Sequence, residues 1–191
     1  LAQIQANMPQ LPYELERKFA EQYGLPEHDL DVLTDTKEVA VFYDTFCQYT
    51  AYHKAAANWV MGPIKSFLND RSTSITEFPL SFEQLSELTE LVASDRVSFA
   101  AASQKIFPAL LDTPQASPTQ VAEQLNLFQE SNTDNLQTLV NEVIANFPDK
   151  VVAYQKGKKG LLGMFMGEVM KRSQGKANPK IANELLRKAL N

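Results

Sequence analysis

The densest potential chemistry in this sequence lies near its C-terminus, in the run KGKKGLLGMFMGEVMKRSQGK over residues 156–176. Lys156, Lys158, Lys159, Lys171, Arg172 and Lys176 supply cations that can neutralise phosphates. Read as a helix, Leu162, Phe165, Met166, Val169 and Met170 form an apolar stripe. Gly160, Gly163 and Gly167 follow one another on the opposite side, at i, i+3 and i+7, and Lys171 continues that line. A glycine inside a helix costs about 0.8–1 kcal/mol relative to alanine, so three in line require a reason. Two reasons stay open. Another helix packs on the smooth strip, or a sugar-phosphate backbone lies across it between the lysines.

Gly157-Lys158-Lys159-Gly160 imitates the G-x-x-G loop that clamps nucleic-acid backbone in a fold containing strands, and no strands are expected here. What carries over is its chemistry, a flexible turn with two ammonium groups and free N–H groups. Tyr154 is the one aromatic at hand for stacking a base. Recognition by backbone and shape is therefore expected over reading of single-stranded bases.

Other chemistries lack their residues. No G-x-x-x-x-G-K-[ST] phosphate loop and no H-E-x-x-H helix occurs. His28 and His53 are the only histidines and Cys47 the only cysteine, too few for a zinc set from this chain. Cys47 and His53 could pair as nucleophile and base, but Cys47, on the Val39–Phe46 helix, is read as a buried structural cysteine. The carboxylates of the first 130 residues show no pairing pattern, so no catalytic residue is assigned.

The elements that must position these groups all have the helical period. Val39, Phe42, Tyr43 and Phe46 recur at i, i+3, i+4 and i+7, and Ala56, Trp59, Val60, Pro63, Ile64 and Phe67 continue that spacing. Leu136, Leu139, Val140, Val143, Ile144 and Phe147 make the cleanest stripe. Ser81–Gln84 and Ser117–Gln120 are capping boxes, the second with proline at the first helical position, and Asn178-Pro179 opens the last helix in the same way. Gly24 and Gly175 stand where helices should stop. Pro63 predicts a kink, or two helices in place of one. No alternating run is long enough for a strand. The reading is all-α, with about eight to ten helices in two bundles.

Charge divides the chain. Residues 1–130 carry 8 Lys+Arg against 18 Asp+Glu, a net −10, whereas residues 131–191 carry 10 against 5, a net +5. A basic end on an acidic body suggests an anionic partner at that end. Polar segments at 112–118 and 129–134 read as loops, and the domain boundary is placed near Ser131: an acidic helical domain over 12–130 and a basic three- to four-helix domain over 131–191. Either loop permits hinge motion. No apolar run reaches the ~18 residues of a membrane span. A single cysteine points to a reducing, cytoplasmic setting. Leu1 in place of Met suggests a fragment.

The residues also resemble a known family. Gln22-Tyr23-Gly24-Leu25-Pro26 with Asp31-Val32-Leu33-Thr34, Ala56-Ala57-Asn58-Trp59-Val60-Met61-Gly62, and above all the tail are similar to the C-terminal part of the B subunit of the aspartyl/glutamyl-tRNA(Asn/Gln) amidotransferase. The tail match runs from Tyr154-Gln155-Lys156-Gly157-Lys158 through Gly163, Gly167 and Val169-Met170-Lys171 to Gly175-Lys176-Ala177-Asn178-Pro179, and is shared with small YqeY-like proteins. Pro63 departs from the acidic or polar residue usual at that position. The resemblance implies that residues 1–11 connect to an N-terminal cradle domain outside this chain. That cradle binds ATP and magnesium and activates the side-chain carboxylate of a mischarged tRNA, with the A and C subunits as partners. It further implies that the helical domain acts as a spacer and that the tail grips the tRNA body. Lys156, Gly157, Lys158, Lys159, Gly160, Gly163, Gly167, Lys171, Arg172, Lys176 and Asn178 are then the expected contacts. A stand-alone adaptor docking a protein helix on the glycine strip is the alternative.

Overall fold

The computed structural model describes residues 12–130 and 132–191. The expected connecting segment 1–11, and Ser131 at the expected boundary, lie outside the described residues. Among the described residues there are helices and turns and no strand; one isolated parallel bridge joins Glu130 to Ala177. The helices are α1 (Pro12–Glu21), α2 (Glu27–Leu33), α3 (Lys37–Tyr49), α4 (His53–Trp59), α5 (Lys65–Arg71), α6 (Phe82–Ala93), α7 (Phe99–Ala101) and α8 (Phe107–Asp112). They continue as α9 (Pro118–Gln124), α10 (Thr133–Ala145), α11 (Pro148–Gln155), α12 (Leu161–Arg172) and α13 (Pro179–Leu190). The fold is all-α, as the periodicity implies.

Two π-helical turns interrupt otherwise continuous helices. Val60–Ile64 links α4 to α5, and Ala102–Ile106 links α7 to α8. Each has a proline at hand. Pro63 lies inside the first turn, and Pro108 follows the second. A proline has no N–H to donate and crowds the carbonyl four residues back. Widening the helix by one residue relieves the crowding: Lys65 N–H reaches Val60 O, and Phe107 N–H reaches Ala102 O, each five residues back. The kink expected at Pro63 is thus absorbed as a π turn. Counting each interrupted helix once leaves eleven among the described residues, slightly above the expected number.

The chain forms two compact units. One runs up to Ser94 and resumes over Phe99–Val121; the other holds Asp95–Ser98 and Ala122–Asn191. The division falls inside α9, ahead of the polar segment at 129–134. The hydrogen bonds give the reason. Gln84 Nε2 donates to the Pro114 and Ala116 carbonyls at 2.9 Å each, and Thr119 N–H donates to Glu87 Oε1 at 3.0 Å, so the 112–118 loop is tied into the first unit. Gln129 N–H donates to Arg96 O at 2.7 Å and Glu130 N–H to Lys176 O at 2.6 Å, tying 129–130 into the second.

In the first unit the buried aromatics follow the helical stripes. Phe19 meets Tyr43 edge-on at 4.8 Å, and Trp59 packs at 5.9 Å from Phe107 and at 5.1 Å from the exposed Phe99. Lys18 Nζ pairs with Asp44 at 2.6 Å, and Tyr23 Oη donates to the same carboxylate at 3.0 Å. Both capping boxes form, at Ser81–Gln84 and at Ser117–Gln120.

In the second unit, α10, α12 and α13 pack together with α11 against them. Leu136, Val140, Val143, Phe165, Val169, Leu186 and Leu190 form their common core. These side chains recur every three or four residues along each helix, so each helix buries one face. The face of α12 carrying Phe165 and Val169 is the one turned inward; the glycines are turned outward.

Candidate nucleic-acid interface

α11 ends in a hydrogen-bonded cap built around Gly157. Its N–H donates to Tyr154 O at 3.0 Å, and the next N–H, of Lys158, donates to Ala153 O at 3.1 Å. Gly157 has φ +106°, which side chains rarely tolerate, so a glycine is required there. Lys159 N–H donates to Gly157 O at 2.8 Å. The turn is therefore internally bonded. The N–H groups of Gly157, Lys158 and Lys159 are not free for a ligand, contrary to the sequence expectation. What the turn offers outward is its two exposed lysine side chains.

α12 begins directly after Gly160. A Cβ built on Gly160, Gly163 or Gly167 would meet no atom within 4 Å. The strip is open, and among the described residues no helix packs on it. Lys156, Lys158 and Lys159 precede the helix, and Lys171 and Arg172 lie in its last turn; all five are exposed. Among the described residues the ion pairs are Lys18–Asp44 and Lys180–Asp95, so none of these five cations is neutralised by a salt bridge. Cations in the last turn also suit the negative end of the α12 dipole.

The remaining expected contacts sit differently. α12 ends in a second cap of the same kind, in which Gln174 at φ +55° donates to Lys171 O at 3.1 Å and Gly175 donates to Met170 O at 2.8 Å. Lys176 is half-buried, and its carbonyl accepts from Glu130. Asn178 is 4% exposed. Its Oδ1 accepts from Lys180 N–H at 3.0 Å and Ile181 N–H at 3.4 Å, which caps α13. Its Oδ1 is thus engaged in capping rather than turned to the surface.

Tyr154 is also placed otherwise than the sequence suggests. It is buried in the core of the second unit, where its ring cannot stack a base. The Lys159 ammonium lies 4.1 Å from the ring centroid. Sequence reading misses this contact because the five-residue separation crosses a helix end. The other aromatics of this unit are Phe128, Phe147 and Phe165; none is exposed, and Arg96 lies over Phe128 at 4.7 Å. Among the described residues of this unit no aromatic ring is fully exposed.

Cys47 and His53 lie in the first unit. Cys47 is buried, and burial pushes its thiol up to about 12, which keeps it protonated near neutral pH. The His53 ring packs on Tyr23 at 4.3 Å, and the His53 carbonyl accepts from Tyr43 Oη at 3.0 Å. Among the described residues no group of three or more His, Cys, Asp or Glu side chains could hold a metal ion.

The GatB domain family matches residues 41–190, including the whole lysine–glycine face. The chain belongs to this family. Similar proteins include the B subunit of the aspartyl/glutamyl-tRNA(Asn/Gln) amidotransferase of Acaryochloris marina, 38% identical over 190 residues. Its namesake from Thermosynechococcus vestitus is 37% identical over 191 residues, and that from Geotalea daltonii 35% over 187. The alignments cover 98–100% of this chain but only 38–39% of these relatives, so the chain spans about two fifths of their length. Among the described residues no helix is long and apolar enough to cross a membrane.

Proposed function

We propose that this chain is the tRNA-holding part of an amidotransferase B subunit and that α12, with the turn before it, lies against the tRNA body. The observation that carries this reading is the open strip of Gly160, Gly163 and Gly167 flanked by five exposed cations without salt-bridge partners. Related proteins named for a tRNA substrate, matched along almost the whole chain, supply the class of polyanion. The lysines neutralise phosphates and release counterions. The bare strip lets the backbone come close. Lacking an exposed aromatic, the tail recognises folded RNA by shape and phosphate position rather than by unstacked bases. In this reading the ATP- and magnesium-dependent activation of the mischarged tRNA, and contact with the A and C subunits, belong to parts outside this chain. The first unit acts as the spacer between those parts and the tail.

Titrating the chain with tRNA at low and at moderate salt, beside a double-stranded RNA of similar charge, tests the proposal. Tighter binding to tRNA, weakening as salt rises, is expected. Equal weak binding to both RNAs would reduce the face to a generic basic patch. The adaptor alternative predicts no binding to either RNA.

A further inference from the structure

We infer that Tyr154 is a positioning residue for the RNA-facing turn: its ring fixes the Lys159 ammonium, so that this cation is already in place when the ligand arrives. The inference rests on the proposed RNA-binding role of the tail and adds a division of labour among its lysines. Lys158 and Lys159 are adjacent, exposed and equal in charge, yet they are not held alike. The Lys159 ammonium lies 4.1 Å from the Tyr154 centroid, within cation–π range. The platform beneath it is rigid, because Tyr154 is 5% exposed and packed into the core with Phe165 and Val169. The backbone between the two residues is fixed as well. The cap bonds from Gly157 to Tyr154 O and from Lys158 to Ala153 O, followed by Lys159 to Gly157 O, leave the turn few alternatives. Among the described residues no comparable partner is seen for Lys158.

A lysine side chain that must be ordered on binding loses rotamer freedom, and one already docked on a ring loses less. A ring covers only one side of an ammonium group, so the outward N–H groups remain for a phosphate. Tyr154 thus acts through Lys159 and does not itself touch the RNA.

The test is a double-mutant cycle on the full chain, read as tRNA affinity over a range of salt. Tyr154→Phe keeps the ring and is expected to bind as the native chain does. Tyr154→Leu is expected to bind about three- to tenfold more weakly, with the same salt dependence, because every cation is still present. Lys159→Ala is expected to flatten the salt dependence by about one phosphate contact. In the Lys159→Ala background, Tyr154→Leu is expected to change nothing further. A loss that persists there, or a Tyr154→Leu chain that binds like the native one, would overturn the inference and leave the tRNA reading standing. A native chain that ignores tRNA would overturn both. Should Tyr154→Leu fail to fold, proton NMR of the native chain decides. The Lys159 ε-methylene is expected upfield of that of Lys158 from the ring current, and coincident shifts would remove the contact.

Discussion

Replacing Gly167 sets the stability of α12 against its use. Gly167 lies in the middle of Leu161–Arg172, exposed, and a Cβ there meets no atom within 4 Å. Gly167→Ala therefore introduces no clash, and helix propensity favours it by about 0.8–1 kcal/mol. For a tail of this size, about 1 kcal/mol corresponds to a rise of about 4–8 °C in Tm. Gly167→Leu gains nearly as much propensity but places a four-carbon side chain on the strip. If a phosphate backbone lies there, the bulk displaces it. Losing one charge-assisted contact of about 1.5–3 kcal/mol weakens binding by about ten- to hundredfold. Circular dichroism melting and tRNA titration, run on the native, Ala and Leu chains, separate the two effects. The expected pattern is a tail that melts higher in both variants, with tRNA affinity largely kept in Gly167→Ala and lost in Gly167→Leu. A lower melting point for Gly167→Ala would refute the open strip. Native affinity in Gly167→Leu would show that the ligand does not cross it.

Three further outcomes are expected. Lys158→Glu with Lys159→Glu should leave the helical spectrum unchanged and weaken tRNA binding, while replacing both with alanine should lower the log–log salt slope by about two; an unchanged slope would remove both from the interface. Asn178→Ala should destabilise the tail by about 1 kcal/mol through loss of the α13 cap, measured by denaturant titration, and should not alter tRNA affinity under conditions where the tail is folded. Cys47 should resist alkylation in the native state at neutral pH and react once the chain is unfolded, as mass spectrometry would show. Its folded-state value of about 12 lies above the ordinary thiol value of about 9, so the stability linked to the neutral buried thiol is full below that ordinary value and is lost as pH rises towards 12.

The helices were legible because their causes are local. A serine three residues before a glutamine closes a capping box wherever the chain can turn, and both boxes formed. Gly24 and Gly175 mark helix ends because a positive φ disfavours side chains regardless of distant neighbours, although Gln174 shares the second such end at φ +55°. The tail's positive charge is compositional and needs no fold to be read. Pro63 was legible only in part. Sequence shows that the ladder must break there, while packing around Trp59 accompanies a π turn in place of a corner.

The sequence by itself determined the helical period, the caps and the segregation of charge, since each depends on residues within a few positions of one another. Tertiary structure alone decided which of the candidate groups are available to a ligand. Lysine and glycine on α12 stay open because Phe165 and Val169 turn the other face of the helix into the core. Asn178 and Tyr154 are withdrawn by the same packing, one to cap α13 and one beneath the Lys159 ammonium. Availability is a matter of what lies on the far side of each residue, and only the assembled helices supply that side.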